Sequence, residues 1–106
     1  MGFFDLFKVK NINSELNKYK ETEGAVLLDV RTPEEVEGGR IPGSINIPLQ
    51  QLQQVETAVT EKDKPLFVYC QSGARSRKAA ARLQEMGYID VTDLGGFCAY
   101  TCEVER

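Results

Sequence analysis

The sequence contains no histidine among its 106 residues, and this absence excludes several catalytic arrangements. A Cys–His dyad cannot form within the chain, because it needs an imidazole as the general base. Metal sites built on histidine ligands are excluded for the same reason. Any nucleophile in this chain must therefore be activated by something other than a histidine.

Long apolar runs and an excess of basic residues are absent as well. No apolar run approaches the ~20 residues that a membrane-spanning helix needs. The formal net charge of −3 argues against non-specific nucleic-acid binding, which depends on many lysines and arginines. The N-terminus, MGFFDLFKVK, lacks the basic start and long apolar run of a secretory signal. We therefore expect a cytoplasmic protein that binds neither a membrane nor nucleic acid.

The chain has three cysteines, Cys70, Cys98 and Cys102. Since thiols stay reduced in the cytoplasm, we interpret all three as free thiols rather than as a disulfide framework. Three cysteines without histidine or two-residue spacing make a weak zinc site, and we expect no metal and no organic cofactor. For Cys98 and Cys102 three interpretations remain open: incidental thiols, sulfur acceptors or disulfide partners of Cys70, and metal ligands.

Length and composition indicate a single domain over residues 1–106, with residues 1–8 as an N-terminal lead-in, and we expect a monomer. Strand-like apolar segments alternate with helical segments, which is typical of βα units on a mostly parallel sheet. We predict an α/β fold of three layers, a central sheet flanked by helices. The predicted strands are 8–12, 25–31, 44–48, 64–70 and 90–94, and the predicted helical segments are 14–21, 32–36, 49–59 and 73–88.

Two of the predicted helices begin with recognisable caps. Asn13 is a candidate cap for the first helix. Thr32 precedes Pro33 and is followed three positions later by Glu35, which is the pattern of a capping box. Both helix starts are therefore expected to be fixed by local side-chain hydrogen bonds.

One predicted strand ends on a cysteine that leads straight into a helix, in the stretch FVYCQSGARSRKAAARL. Backbone amides at a helix start have no internal partner and collect partial positive charge. If residues 71–75 curl around Cys70, these amides form an anion-binding nest that favours the thiolate. Gly73 permits the backbone angles of such a curl, and Arg75 adds a cation with a planar fork of donors.

The spacing between Cys70 and Arg75 separates possible enzyme classes. Four residues lie between them, whereas cysteine phosphatases have five. The shorter turn makes a smaller cradle, which suits a single transferred sulfur atom better than a phosphate ester. A phosphatase or arsenate reductase remains the less favoured alternative.

Together these motifs resemble the rhodanese-like sulfurtransferases in their small single-domain form. The resemblance covers about residues 10–100 and rests on LLDVRTPEEVEGGRIPGSINIP, CQSGARS and DLGGFCAY. It implies a mostly parallel sheet flanked by helices, and transfer of sulfane sulfur through a cysteine persulfide. The implied partners are a small anionic donor such as thiosulfate, and an acceptor that is a thiol, cyanide or a protein.

By this resemblance Cys70 is the nucleophile, Ser76 supports the active-site loop and Asp29 orients it. Arg31 either contacts the substrate or forms an ion pair with Glu35. The loop itself consists of Gln71, Ser72, Gly73, Ala74 and Arg75. The loop departs from some relatives at its fourth residue, which is a small uncharged alanine where they carry a second basic residue. The same residues also suit a persulfide carrier or binding module that serves a partner protein.

Overall fold

The computed structural model describes residues 12–106, so the predicted lead-in 1–8 and most of the predicted strand 8–12 lie outside the described residues. Within 12–106 the strands are β1 (Val26–Asp29), β2 (Ile45–Asn46), β3 (Leu66–Cys70) and β4 (Val91–Gly96). The helices are α1 (Ile12–Glu21), α2 (Pro33–Glu37), α3 (Val55–Ala58) and α4 (Ala74–Glu85), with 3₁₀ segments at Leu49–Gln54 and Phe97–Ala99.

The described strands form one sheet in the order β2-β1-β3-β4, and every neighbouring pair is parallel. Strand β3 therefore lies between two neighbours and is buried at all five positions, as a sheet covered on both faces requires. Because all strands run in one direction, their carboxyl ends meet at one edge of the sheet. The predicted α/β fold is confirmed.

Two apolar clusters cover the two faces of the sheet and make the three layers. The first joins α4 and the 49–58 segment to the sheet through Val30, Val55, Leu66, Val68 and Leu83. The second joins α1 to the sheet through Ile12, Leu16, Phe67, Tyr69 and Leu94, and Phe97, which follows β4, packs against it. Burial of a leucine such as Leu83, whose exposed fraction is 0%, stabilises the fold by roughly 1.5–3 kcal/mol.

The capping box of α2 is confirmed. The amide of Glu35 donates to Thr32 Oγ1 at 3.3 Å, and the amide of Thr32 donates to Glu35 Oε1 at 2.9 Å. The expected cap at Asn13 is wrong, because Asn13 lies inside α1. Its side chain instead binds the C-terminal segment, donating to Ala99 O and accepting from the amide of Thr101, both at 3.1 Å. Both of these partners are distant from Asn13 in sequence.

The predicted helix 49–59 is a 3₁₀ segment followed by a single turn of α-helix. A kink at Gln51, where φ is −117°, divides the 3₁₀ segment. The apolar residues Leu49, Leu52 and Val55 are spaced by three, which agrees with about three residues per turn, and all three pack in or against the first apolar cluster. No helix within residues 12–106 is long and apolar enough to cross a membrane.

Candidate active site

Cys70 is the last residue of β3, at the edge of the sheet where the parallel strands end. Its side chain is buried, with an exposed fraction of 0%. The amide of Gly73 donates a hydrogen bond to Cys70 Sγ at 2.9 Å. Such a bond stabilises a thiolate more than a thiol, because hydrogen bonds to charged acceptors are the stronger ones.

Gly73 gives the turn its shape. It is the residue before α4 and has a φ of +107°, in the region that favours glycine. This left-handed residue turns the chain back toward the sulfur, and α4 begins directly after it. The positive φ agrees with the backbone freedom that the sequence predicts to be needed at Gly73.

Ser76 connects the first turn of α4 to β4. Its hydroxyl donates to Asp93 Oδ1 at 2.7 Å and lies 3.1 Å from the carbonyl oxygen of Gly73. Asp93 also accepts a hydrogen bond from the amide of Gly95 at 3.0 Å, where the pairing of β3 and β4 shifts register. Because Ser76 is buried, its loss would leave this junction without its connecting donor.

Asp29 and Arg31 form a buried pair that reaches the loop through Gln71. Arg31 Nη2 donates to Asp29 Oδ2 at 2.8 Å, and both side chains are almost completely buried. Arg31 Nη1 donates to Gln71 Oε1 at 3.1 Å, and Nη2 also donates to Gly39 O at 2.8 Å. Burial alone would lower the pKa of Arg31, but the hydrogen bonds and charge of Asp29 raise it above its usual value.

An aromatic ring covers the same arginine. The guanidinium carbon of Arg31 lies 4.2 Å from the centre of the Phe97 ring, close enough for a cation–π interaction. Phe97 in turn stacks on Tyr100, with ring centres 5.5 Å apart. The segment after β4 therefore packs against the charged pair that supports the loop.

Arg75 is held by Glu35 from α2. Its two terminal nitrogens donate to the two oxygens of Glu35 at 2.7 and 2.8 Å. This contact is the main cause that lowers the pKa of Glu35 to about 2, and it raises the pKa of Arg75. The expected alternative of an ion pair between Arg31 and Glu35 is wrong, because Arg75 binds that carboxylate and Arg31 reaches only the Glu35 carbonyl, at 3.5 Å.

The wall of the loop on the β4 side is formed by residues that the sequence analysis did not single out. A Cβ on Gly96 would lie 2.9 Å from Gln71 O and from the backbone of Ser72, which is too close. The amide of Cys98 donates to Gln71 O at 3.0 Å. The signal in the sequence was the Gly95-Gly96 pair, since a glycine in a strand often marks a close backbone approach.

Cys98 and Cys102 are exposed, whereas Cys70 is buried, and all three are free thiols. Cys102 Sγ lies 3.6 Å from Asn13 Oδ1, on the side of α1. Among residues 12–106, no group of three or more Cys, Asp or Glu side chains is placed to hold a metal ion. Cys98 contacts the loop through its backbone amide, which donates to Gln71 O, whereas the thiol of Cys102 lies beside Asn13.

Comparison with known proteins decides the family. The sequence pattern of the rhodanese-like domain matches residues 13–101. The chain belongs to the rhodanese family. The family resemblance inferred from the motifs is thus confirmed, and the matched range includes the loop, Cys70 and every partner of the loop described above.

Relatives of this rhodanese-like domain include named sulfurtransferases. A sulfurtransferase of Allochromatium vinosum is 38% identical over 95 residues, which cover 87% of this chain and 88% of the relative. The thiosulfate sulfurtransferase PspE of Escherichia coli is 41% identical over 70 residues, 65% of this chain and 67% of PspE. The uncharacterized protein YqhL of Bacillus subtilis is 47% identical over 74 residues, which are 69% of this chain but only 58% of YqhL.

Solved structures show the same fold. A rhodanese from Escherichia coli, determined with anions, matches this domain with a TM-score of 0.73 and 35% identity. The match covers 77% of this chain and 98% of that one. The parallel sheet flanked by helices is therefore the fold that the family shares.

Proposed function

We propose that this rhodanese-like domain is a sulfurtransferase that moves sulfane sulfur from thiosulfate or a similar donor to a thiophilic acceptor through a persulfide on Cys70. The observation that carries the proposal is the position of Cys70 at a strand-to-helix turn, with the Gly73 amide 2.9 Å from its sulfur. The similarity to a sulfurtransferase of Allochromatium vinosum and to the thiosulfate sulfurtransferase PspE of Escherichia coli supports the reaction class.

In the first half of the proposed cycle, the Cys70 thiolate attacks the outer sulfur of thiosulfate. A sulfur–sulfur bond forms to Cys70, the bond inside thiosulfate breaks, and sulfite leaves with its electron pair. Charge passes from the attacking sulfur to the leaving group, and the positive end of α4 and its free amides favour that anionic transition state. Covalent catalysis of this kind divides one sulfur transfer into two easier steps.

In the second half, an acceptor thiolate or cyanide attacks the outer sulfur of the persulfide. The acceptor gains the sulfur as a new persulfide or as thiocyanate, and Cys70 returns as a thiolate. Neither half consumes an oxidant or a reductant, so the proposed cycle needs no metal and no organic cofactor. A thiolate nucleophile suits a compartment in which thiols stay reduced, and we propose that the domain acts as a monomer in the cytoplasm.

The other site residues would hold the loop in its shape. Ser76 would fix the start of α4 through Asp93, and Arg31 would fix Gln71 while Asp29 holds Arg31 in place. Correct placement matters because a small displacement of reacting groups costs a large factor in rate. These roles all act through the loop rather than through direct attack on the donor.

A second candidate function is a persulfide carrier that serves a partner protein. The burial of Cys70 favours it, since a persulfide on a thiol with no exposed surface would be shielded from solvent thiols until an acceptor docks at the loop. A carrier would load sulfur normally but turn over slowly until its partner is present. A steady-state assay with small acceptors, repeated with candidate partner proteins, separates the two functions.

The proposed function is tested by intact mass spectrometry after thiosulfate treatment. We expect a mass increase of one sulfur atom, mapped to Cys70 by digestion under non-reducing conditions. The Cys70→Ser variant is expected to show neither loading nor transfer to cyanide. Loading that persists in Cys70→Ser would overturn the assignment, and hydrolysis of a phosphate ester by the wild-type protein would favour the phosphatase alternative.

A further inference from the structure

Both arginines at the loop lie in closed ion pairs. Arg31 is bound by Asp29 and Arg75 is bound by Glu35, with closest distances of 2.8 and 2.7 Å. The other loop residues, at positions 71–74, carry no charge. Each arginine at the loop is therefore neutralised by a carboxylate, so residues 71–75 present no unpaired positive charge to an anionic donor.

The two pairs differ in accessibility. The side chains of Arg31 and Asp29 are 1% and 0% exposed, so this pair is sealed under the loop. Those of Arg75 and Glu35 are 31% and 30% exposed, so this pair lies at the surface beside the loop. The hydrogen bonds to Glu35 are the main cause that raises the pKa of Arg75, and the charges of Glu35 and Cys70 add to it.

Glu35 is fixed in this position by the start of α2. One of its oxygens accepts from the amide of Thr32 at 2.9 Å while both oxygens accept from Arg75. The carboxylate is thus held by two elements of the fold and is not free to rotate away. A donor that approaches Arg75 also approaches the negative charge of Glu35.

We propose that Glu35 sets the charge preference of the donor site, favouring sulfane-sulfur anions with one negative charge over donors with two. This inference rests on the proposed function and names the class of donor within it. A doubly charged donor is repelled by Glu35 twice as strongly as a singly charged one and costs more to desolvate, while the attraction of Arg75 is already compensated. Ala74 supplies no second cation to offset that cost.

Three further cations of α4, Arg77, Lys78 and Arg82, lie beyond the loop. All three are exposed, and none forms an ion pair with another of the described residues. Water and salt screen their charges, and they remain the same in every variant considered below. A single substitution in the pair of Arg75 with Glu35 changes the net charge beside the loop.

The test compares two donors that differ in charge but deliver the same sulfur. Thiosulfate carries two negative charges and releases sulfite, whereas methanethiosulfonate carries one and releases methanesulfinate. In both reactions the Cys70 thiolate forms a bond to the outer sulfur, and the leaving group takes the electron pair of the broken sulfur–sulfur bond. The measured quantity is the ratio of kcat/KM for thiosulfate to kcat/KM for methanethiosulfonate.

We expect Glu35→Gln to raise this ratio about tenfold, the effect of one elementary charge removed at a few ångströms in a partly solvated site. Glu34→Gln is the matched control, because Glu34 is the exposed neighbour on α2 and removes the same charge without contacting Arg75. Its ratio should stay within about twofold of wild type, as a screened charge predicts. Arg75→Ala should lower the ratio, since it leaves Glu35 uncompensated.

If Glu35 had only a structural role, Glu35→Gln would lower kcat/KM for both donors by the same factor. An unchanged ratio in Glu35→Gln would therefore overturn this inference but leave the proposed function intact. The ratio does not depend on the fraction of folded protein, so partial unfolding of Glu35→Gln cannot imitate the effect. A ratio that rises equally in Glu34→Gln would also overturn it. Failure of both donors to load Cys70 in the wild type would overturn the proposed function and this inference with it.

Discussion

The hydroxyl of Ser76 donates to Asp93 Oδ1 at 2.7 Å and so joins the start of α4 to the strand beside it. The bond is buried at the serine and lies one turn of helix from Gly73, whose amide contacts the sulfur. Because β4 is also paired with β3, this contact links α4, β4 and β3 to one another on the sides of the loop. The position of the loop relative to the sheet depends on it.

Ser76→Ala is therefore expected to lower the free energy of unfolding by about 1–3 kcal/mol, since it removes a buried donor from Asp93. Sulfur loading of Cys70 should slow as well, because the first turn of α4 loses its anchor. Urea unfolding and loading kinetics measure the two effects. Thr60→Ala, at an exposed position after α3, is the control and should be neutral. Equal stability of the two variants would show that the Ser76 bond contributes nothing.

Gly96→Ala should impair sulfur transfer by roughly ten- to a hundredfold, the cost of a displacement near 1 Å at reacting groups. Its Cβ would lie 2.9 Å from the backbone of Gln71 and Ser72, so the loop itself must move. The control is Gly38→Ala, where φ is −76° and the nearest atom is 3.7 Å from the added Cβ. Normal kcat/KM for thiosulfate in Gly96→Ala would show that the loop tolerates the shift.

The acid stability of the protein should depend on Glu35. Arg75 lowers the pKa of Glu35 from 4.5 to about 2 in the folded state. Since the folded pKa is lower than the unfolded one, the stabilisation is present above pH 4.5 and is lost as the pH falls toward 2. Comparing unfolding free energies of wild type and Glu35→Gln should show a difference at pH 6 that shrinks across this window. A difference independent of pH would contradict the assignment of the shift to this pair.

The double variant Cys98→Ser, Cys102→Ser should keep sulfurtransferase activity within a few-fold of wild type. Both thiols are exposed, and the contact of Cys98 with the loop is made by its backbone amide, which serine retains. The measurement is steady-state transfer from thiosulfate to cyanide. A near-complete loss would instead support the interpretation in which an exposed thiol relays sulfur from Cys70.

The sequence predicted the features that depend on neighbouring residues. The strands and the capping box of α2 follow local patterns, and so does the left-handed Gly73. The pair of Glu35 with Arg75 could not be predicted, because its members are 40 residues apart and meet only when α2 packs beside the loop. An ion pair of Glu35 with Arg31 is one of the two alternatives that the sequence leaves open, but Arg31 is bound by the buried Asp29.

Periodicity was ambiguous where two helical geometries fit the same residues. In the segment 49–59 a spacing of three agrees with a 3₁₀ helix, whereas the full set of apolar positions also fits an α-helix. The contact of Gly96 with the loop was likewise hidden, since it depends on the register between β3 and β4. Local sequence patterns predict the helices and strands, whereas the contacts between these elements depend on how they pack in the folded protein.

The strand that carries the proposed nucleophile also has the composition of an aggregation-prone segment. Leu66–Cys70 is a run of apolar and β-forming residues without charge, and in the folded protein both of its edges are paired. Lys64 and Pro65 directly precede it, a charge and a strand breaker of the kind that flanks such segments. When the domain unfolds, these edges and the thiol become exposed together, so that heat inactivation of the protein should proceed by self-association and by thiol oxidation from the same stretch of chain.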